Sequence, residues 1–248
     1  MKKVFISGSI SIKKLNKEII ESLENIISKK YTILIGDASG IDTLIQDYFS
    51  KMNYTNIEVY SIFSSPRYLS NKNFLSKYIN VSSEIKNERE RQTYKDKAMS
   101  DNSDFSLVIW DGKSKGSFAN ILRAIDSNKF VKVYYILEKK FLEQSKITKN
   151  EIEFIYRLHN GYTASEVVEY LQNQGIEKFK KTQDLNKYLV EKNVIKKEDK
   201  LYLPQDKYSN LLMIEMYKGR PSGIKFNNDF ISWIENEITS KPIQGELF

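Results

Sequence analysis

Apolar positions in the first half of the chain alternate between short continuous runs and longer stretches at helical spacing. Lys3–Ser7 is an apolar, β-prone run ending at Gly8-Ser9, and Ile12–Lys29 follows with Leu15, Ile19, Ile20, Leu23, Ile26 and Ile27 along one helical stripe. Tyr31–Ile35 then reads as a strand, Gly36–Gly40 as a tight turn and Ile41–Met52 as a helix. Ile57–Phe63 is a third strand and Glu84–Met99 a charged helix. Phe105–Trp110 is a strand, Asp111–Gly116 a loop, Ser117–Ser127 a helix and Val131–Leu137 a last strand. Ser64–Ser83 is polar and aromatic without a period, and reads as an insertion over the strand ends in the manner of a lid. Strands alternating with helices predict an α/β fold, a Rossmann-like parallel sheet with helices on both faces.

After Leu137 the rhythm changes. Ile147–Leu158 and Thr163–Gln172 read as two helices around an Asn160-Gly161 turn, Asp184–Lys192 as a third, and Val194–Leu203 as a short hairpin. That order suggests a winged-helix-like module, or equally a helical cap that packs on the sheet or makes a homo-oligomer. Pro221–Gly223 reads as a turn and Asn228–Ile238 as a final helix. The expected division is a Rossmann-like domain at 1–138, a helical or winged-helix-like region at 139–240 and a tail at 241–248.

Composition narrows the chemistry. Hydrophobic residues make up 40% of the 248 positions, enough for a packed core and against wholesale disorder. The absence of cysteine removes disulfides, thiolate metal sites and Cys nucleophiles, and the single histidine, His159, excludes a His-rich metal site. No metal and no cofactor are therefore expected. The apolar run near Met1 is too short for a signal peptide, and no stretch approaches the roughly 20 apolar residues that span a bilayer. A soluble, cytoplasmic protein without membrane contact is expected. The net charge of +7 comes mostly from lysines scattered among acids, a solvated surface that also suits a polyanion.

In doubly wound sheets ligands bind outside the carboxyl ends of the strands, at the switch point. Gly8-Ser9, Gly36–Gly40 and Gly112–Gly116 all fall immediately after strands. In the first helix-opening turn, Gly36, Asp37, Ala38, Ser39, Gly40 and Asp42, the glycines let the backbone approach a ligand and the helix amides favour an anion. Asp42 also reads as a plain N-terminal helix residue stabilised by the dipole. The second turn, Trp110, Asp111, Gly112, Lys113, Ser114, Lys115, Gly116 and Ser117, offers amides, hydroxyls and two lysines as a phosphate cradle. It lacks the P-loop order. Trp110 either stacks on a base or packs in the core.

Gly8-Ser9 after the first strand, Gly-Asp-Ala-Ser-Gly-Ile-Asp at 36–42, and Asp104 ahead of the strand leading into Trp-Asp-Gly-Lys-Ser-Lys-Gly-Ser at 110–117 resemble the SLOG superfamily. These Rossmann-like domains include Smf-type DNA-processing proteins and Lonely-Guy-type nucleotide phosphoribohydrolases. Lys95-Asp96 and Met99 stand where its small bacterial and phage members often carry a basic-polar pair and a methionine. The resemblance covers about residues 1–138. It implies binding of a nucleotide or nucleotide-derived ligand, sometimes with cleavage of an N-glycosidic bond, in a phage or mobile-element setting.

One departure matters. The phosphoribohydrolase branch has a glutamate three residues after its Gly-Thr; here Asn120 stands there counting from Ser117, and Ala119 counting from Gly116. Neither is an acid or a base, whereas cleaving a base from ribose needs a carboxylate. The substitutes are Asp37, Asp42, Glu88, Glu90, Asp96 and Asp111. Asp111, beside the second turn, and Asp96, on the preceding helix, are the candidate catalytic residues, or else loop-shaping hydrogen-bond partners. Arg89, Arg91 and Lys95 either face a phosphate or form a solvated helix face with Glu88 and Glu90.

His159 reads as a capping or surface residue. The ending Gln244-Gly-Glu-Leu-Phe resembles short peptides that dock into bacterial sliding clamps, which would make Gln244, Leu247 and Phe248 partner-binding; the alternative is a tail tucked against the protein itself. Three functions are thus expected to compete. The first is a nucleotide-sensing or regulatory module, and the second an N-glycosidic hydrolase or transferase. The third is a DNA-associated protein docking on the clamp, with Lys178, Lys180 and Lys181 as its cationic cluster.

Overall fold

The computed structural model describes residues 1–239. Gln244, Leu247 and Phe248 lie outside the described residues. The chain separates into two compact units, one of residues 1–153 and one beginning at Phe154; the pattern placed the division after residue 138.

The first unit runs β1 (Lys3–Gly8), α1 (Lys17–Ser28), β2 (Thr32–Ile35), α2 (Ile41–Lys51), β3 (Ile57–Ser61), β4 (Leu75–Tyr78), α3 (Glu88–Asp101), β5 (Phe105–Trp110), α4 (Lys115–Asp126), β6 (Phe130–Tyr135) and β7 (Lys140–Phe141). Its strands form one seven-stranded sheet in the order β4-β3-β2-β1-β5-β6-β7, parallel throughout except for β7. This is the Rossmann-like α/β architecture that the alternation predicted. Every residue of β2 and β3 is buried, because helices cover both faces and the strands must be apolar on both. Ile33 and Ile35 pack with α1 and α2 through Ile19, Leu23, Ile41, Ile45 and Phe49. Phe5, Leu34 and Tyr60, pointing the opposite way, pack with Met99 of α3. Glu58, buried in β3, is paired with Lys3 at 2.9 Å and Lys77 at 2.8 Å.

Three details depart from the pattern. Ser64–Ser83 is not structureless, since β4 lies within it and pairs in parallel with β3 from Glu58↔Leu75 to Ser61↔Tyr78. An edge strand with exposed Leu75 and Tyr78 buries no face, so it leaves no apolar alternation to read. The short antiparallel β7 was missed for lack of length. The helix expected from Ile12 begins only at Lys17. Ile12 is buried from within a loop, and Asn16 donates its amide to the Tyr134 hydroxyl at 2.9 Å.

The second unit contains α6 (Ala164–Asn173), α7 (Thr182–Glu191), β8 (Ile195–Glu198), β9 (Leu201–Pro204), β10 (Leu212–Tyr217), β11 (Arg220–Phe226) and α8 (Asn228–Thr239); α5 (Lys149–Asn160) holds the boundary. Its own core gathers Val167, Leu171, Phe179, Leu185, Leu189, Phe226, Phe230 and Ile234. β8 and β9 pair as the expected hairpin, and Tyr162 makes an isolated antiparallel bridge to Phe226. Pro221–Gly223 is not a turn but part of β11. The turn is Lys218-Gly219, both with positive φ as a two-residue hairpin loop demands, and Pro221 sits opposite Met216 where a register shift leaves a proline tolerable. Among the described residues no helix is long and apolar enough to cross a membrane.

Candidate functional site

β1 pairs with β2 on one side and β5 on the other, so the order of the strands reverses at its C-terminal end. Three loops meet there, after β1, β2 and β5. The Ser9 N–H donates to Ile109 O at 3.1 Å, and Ser9 Oγ accepts the Asp111 N–H at 3.2 Å, so the β1 and β5 loops are tied together. Asp111 organises the second turn. Its Oδ1 accepts the N–H groups of Lys113 at 2.9 Å and Ser114 at 2.8 Å, and its Oδ2 accepts the Ser11 hydroxyl at 2.7 Å. Burial opposes ionisation, but the Ser11 and backbone hydrogen bonds outweigh it and hold Asp111 below the usual carboxylate range. A carboxylate so engaged shapes the loop; it is badly suited to giving or taking protons.

Ser114 caps α4, its hydroxyl accepting from Ser117 N, while Ser117 is itself buried. Lys113, Lys115 and Gly116 are exposed, and nothing lies near the Gly116 α-carbon on its open side. Trp110 has no surface to offer a base. It is fully buried beside Phe118 and Tyr135, and its indole N–H donates to Ser114 O at 3.3 Å. Its role as a stacking residue is therefore corrected to that of a brace beneath the loop.

The turn after β2 is closed from within. Asp37 is buried: its Oδ2 accepts from Ser61 Oγ at 2.8 Å and Arg67 N at 3.1 Å, and its Oδ1 from Arg67 Nη2 at 2.8 Å and Lys95 Nζ at 3.4 Å. Burial alone would raise this carboxyl, yet Arg67 and Lys95 hold it at about 2. Gly40, at φ +82°, lies against the β1 loop, and a Cβ there would come 2.6 Å from Ile10 Cα. The close approach this glycine permits is to the chain itself. Asp42 folds back so that its Oδ2 accepts the Ala38 N–H at 3.1 Å, taking one amide of the turn. Ser39 remains exposed.

A Cβ on Gly36 would collide with Asp42 Oδ2 and Lys95 Nζ, which places both charged groups over the end of β2. Burial raises Asp42 to about 6, against the opposing Lys95 charge, and Asp96 and Asp37 add repulsion. Asp96 is also raised, first by burial, against the charges of Lys95 and Arg123 and a hydrogen bond with Asn120. Both residues are half-buried, and burial is the largest influence on each carboxyl. The result is a compact group of three aspartates among Lys95, Arg67 and Arg123 at the strand ends, in which burial raises Asp42 to about 6.

Arg67 comes from the segment read as a lid. That segment is pinned at three points: Arg67 on Asp37, Tyr68 on Asp47, and Ser70 N on Gln46 Oε1 at 3.2 Å, with Gln46 Nε2 donating in turn to Gly36 O at 2.9 Å. Arg67, Gln46, Ser61 and Arg123 carried no sequence signal, because their partners lie far along the chain. Glu88 stands 3.7 Å from Arg67, while Glu90 and Arg89 are exposed on the first turn of α3. His159 is half-buried in the last turn of α5, where a helix end favours a basic group.

Beside the tied β1 and β5 loops lies an open cavity of ≈ 720 Å³, with Lys13, Lys14, Lys17, Lys139, Asn16 and Asp111 on its walls. That volume is in the range of small-ligand sites. No family model, curated protein or solved structure matches the chain. Among the described residues no group of three or more His, Asp or Glu side chains is arranged to hold a metal ion.

Proposed function

We propose that the first unit binds a nucleotide or nucleotide-derived ligand over the C-terminal ends of β1, β2 and β5, and acts as a sensing or regulatory module. The observation that supports this reading is the topology: strand order reverses at β1, the lysine-walled cavity lies beside the β1 and β5 loops, and the charged group lies over the end of the neighbouring β2. Phosphate oxygens suit Lys113, Lys115 and the open first turn of α4. Asp42 and Asp96 suit the hydroxyl and amine donors of a sugar or base. Thermal unfolding against nucleoside mono-, di- and triphosphates, NAD and ADP-ribose tests it, with each mixture analysed for products by mass spectrometry. A stabilising shift without products supports a sensor, and absence of any shift removes the nucleotide reading.

A second reading, hydrolysis or transfer at an N-glycosidic bond, is favoured by the position of Asp42 beside Asp96 and Lys95 and by burial that raises it to about 6, nearer to neutral pH than an ordinary carboxyl. Asp96 would then face the developing positive charge on the sugar. Catalytic duty falls in this reading on Asp96 and Asp42 rather than on Asp111. Asp96→Asn should abolish product formation while retaining the ligand-induced thermal shift; unchanged turnover would exclude Asp96.

A further inference from the structure

The second unit distributes its charge unevenly. Residues 178–207 hold nine lysines and five acids, whereas residues 154–177 and 208–239 together hold four basic residues and seven acids. The basic stretch includes α7 and the β8–β9 hairpin. Two of its acids are engaged locally: Asp184 Oδ2 accepts the N–H groups of Lys180 at 3.1 Å and Lys181 at 3.2 Å, and Glu198 pairs with Lys196 at 2.6 Å.

α7 has two chemically distinct faces. Leu185 and Leu189 are buried in the core, and on the opposite side Gln183, Lys187 and Val190 are exposed with Asn186 half-buried. Helical geometry puts these last four on a single stripe. Side-chain amides, an ammonium and a branched methyl group are what reads base edges in the major groove. Exposed lysines flank the stripe. Lys178, Lys180 and Lys181 precede it, and Lys196, Lys197 and Lys200 follow on the hairpin and its Asp199-Lys200 turn. Lysines on either side of a polar helix face match phosphate contacts on either side of a groove, which position a reader without specifying sequence.

The local topology agrees. α6 and α7 pack together, the hairpin follows α7 directly, and the Tyr162–Phe226 bridge ties the segment ahead of α6 to the end of β11. A helix pair whose second member is exposed, followed by a hairpin, is a duplex-reading arrangement. We propose that the face formed by α7 and the β8–β9 hairpin binds duplex DNA, with α7 in the major groove and the flanking lysines on the phosphates. This stands independently of the nucleotide site.

The test is fluorescence anisotropy of the full chain with a short labelled duplex of mixed sequence. Affinity should fall about 100-fold between about 50 and 200 mM salt. Lys180→Ala with Lys181→Ala should weaken binding to every duplex and reduce the salt slope by about 2. Lys29→Ala with Lys51→Ala, which removes the same charge from exposed positions in the first unit, should leave binding unchanged. Gln183→Ala with Asn186→Ala should narrow the spread of affinities across a randomised duplex pool. The proposal is overturned by absent binding at low salt, by equal losses in the two lysine pairs, or by preference for single-stranded RNA or phosphatidylserine vesicles. Circular dichroism melts of each variant separate loss of contact from loss of fold.

Discussion

The turn at Gly36–Asp42 and the turn at Trp110–Ser117 each follow a central parallel strand and open a helix, but they differ in where the negative charge sits. In the first, Asp42 lies on the Ala38 amide and Asp37 is locked under Arg67 and Lys95, so the chain supplies its own anion. In the second, Asp111 folds the loop from its start and leaves Lys113, Lys115 and Gly116 facing outward. Both turns satisfy backbone amides with an internal carboxylate, Asp42 on Ala38 and Asp111 on Lys113 and Ser114; what differs is that the cations beside the first turn, Arg67 and Lys95, are engaged by Asp37, whereas Lys113 and Lys115 of the second are exposed. The first turn holds its charge among buried partners, and the second leaves its lysines outside a loop folded by Asp111.

The contrast is broken most severely at Asp37. Asp37→Ala removes the buried carboxylate on which Arg67 and Lys95 converge, and denaturant unfolding should show a loss of about 3 kcal/mol. Because this carboxyl is held at about 2, the stability it contributes is complete above its ordinary value near 3.8 and is lost as pH falls toward 2. Gly40→Ala should cost about 3 kcal/mol, since a Cβ meets the Ile10 backbone at a positive φ. Gly116→Ala, in the open turn, should be neutral or slightly stabilising by the same measurement.

Asp42→Asn sharpens the comparison with the opposite sign. Asp42 is raised from 3.8 to about 6, so the native state favours its protonated form and stability declines as pH rises across that window. The amide cannot ionise, and the variant should be about 1–2 kcal/mol more stable than the parent at pH 8 and indistinguishable below pH 4. Asp111→Ala should cost about 1 kcal/mol by loosening the second turn and should weaken any ligand-induced thermal shift more than it lowers the melting point.

The sheet was legible because its central strands are buried on both faces and write continuous apolar runs, as Ile33–Ile35 and Leu107–Trp110 do. β4 was not, since Leu75 and Tyr78 are exposed and Lys77 is held by Glu58, so nothing in its pattern distinguishes strand from loop. At the site, the loops were readable from their glycines, and Lys95 and Asp96 from their position. The inward closure of the first turn was not. It depends on Arg67 and Ser61, whose partnership with Asp37 spans 30 and 24 residues and follows only from the folded sheet. Trp110 stayed open between stacking and core packing for a related reason: a strand-end tryptophan looks the same in sequence whether it faces solvent or lies, as here, beneath a loop.

The sheet ends on one side in the four-residue β4 and on the other in the two-residue β7. Unpaired strand edges are where identical chains add to one another and begin to aggregate. On the β4 side a neighbouring molecule finds four backbone positions, one of them the ion-paired Lys77; on the other, β7 covers only the end of β6 and leaves its start, with exposed Phe130, at the edge. Addition of a second chain to this sheet would therefore begin along the first residues of β6, where no strand among the described residues lies on the outer side.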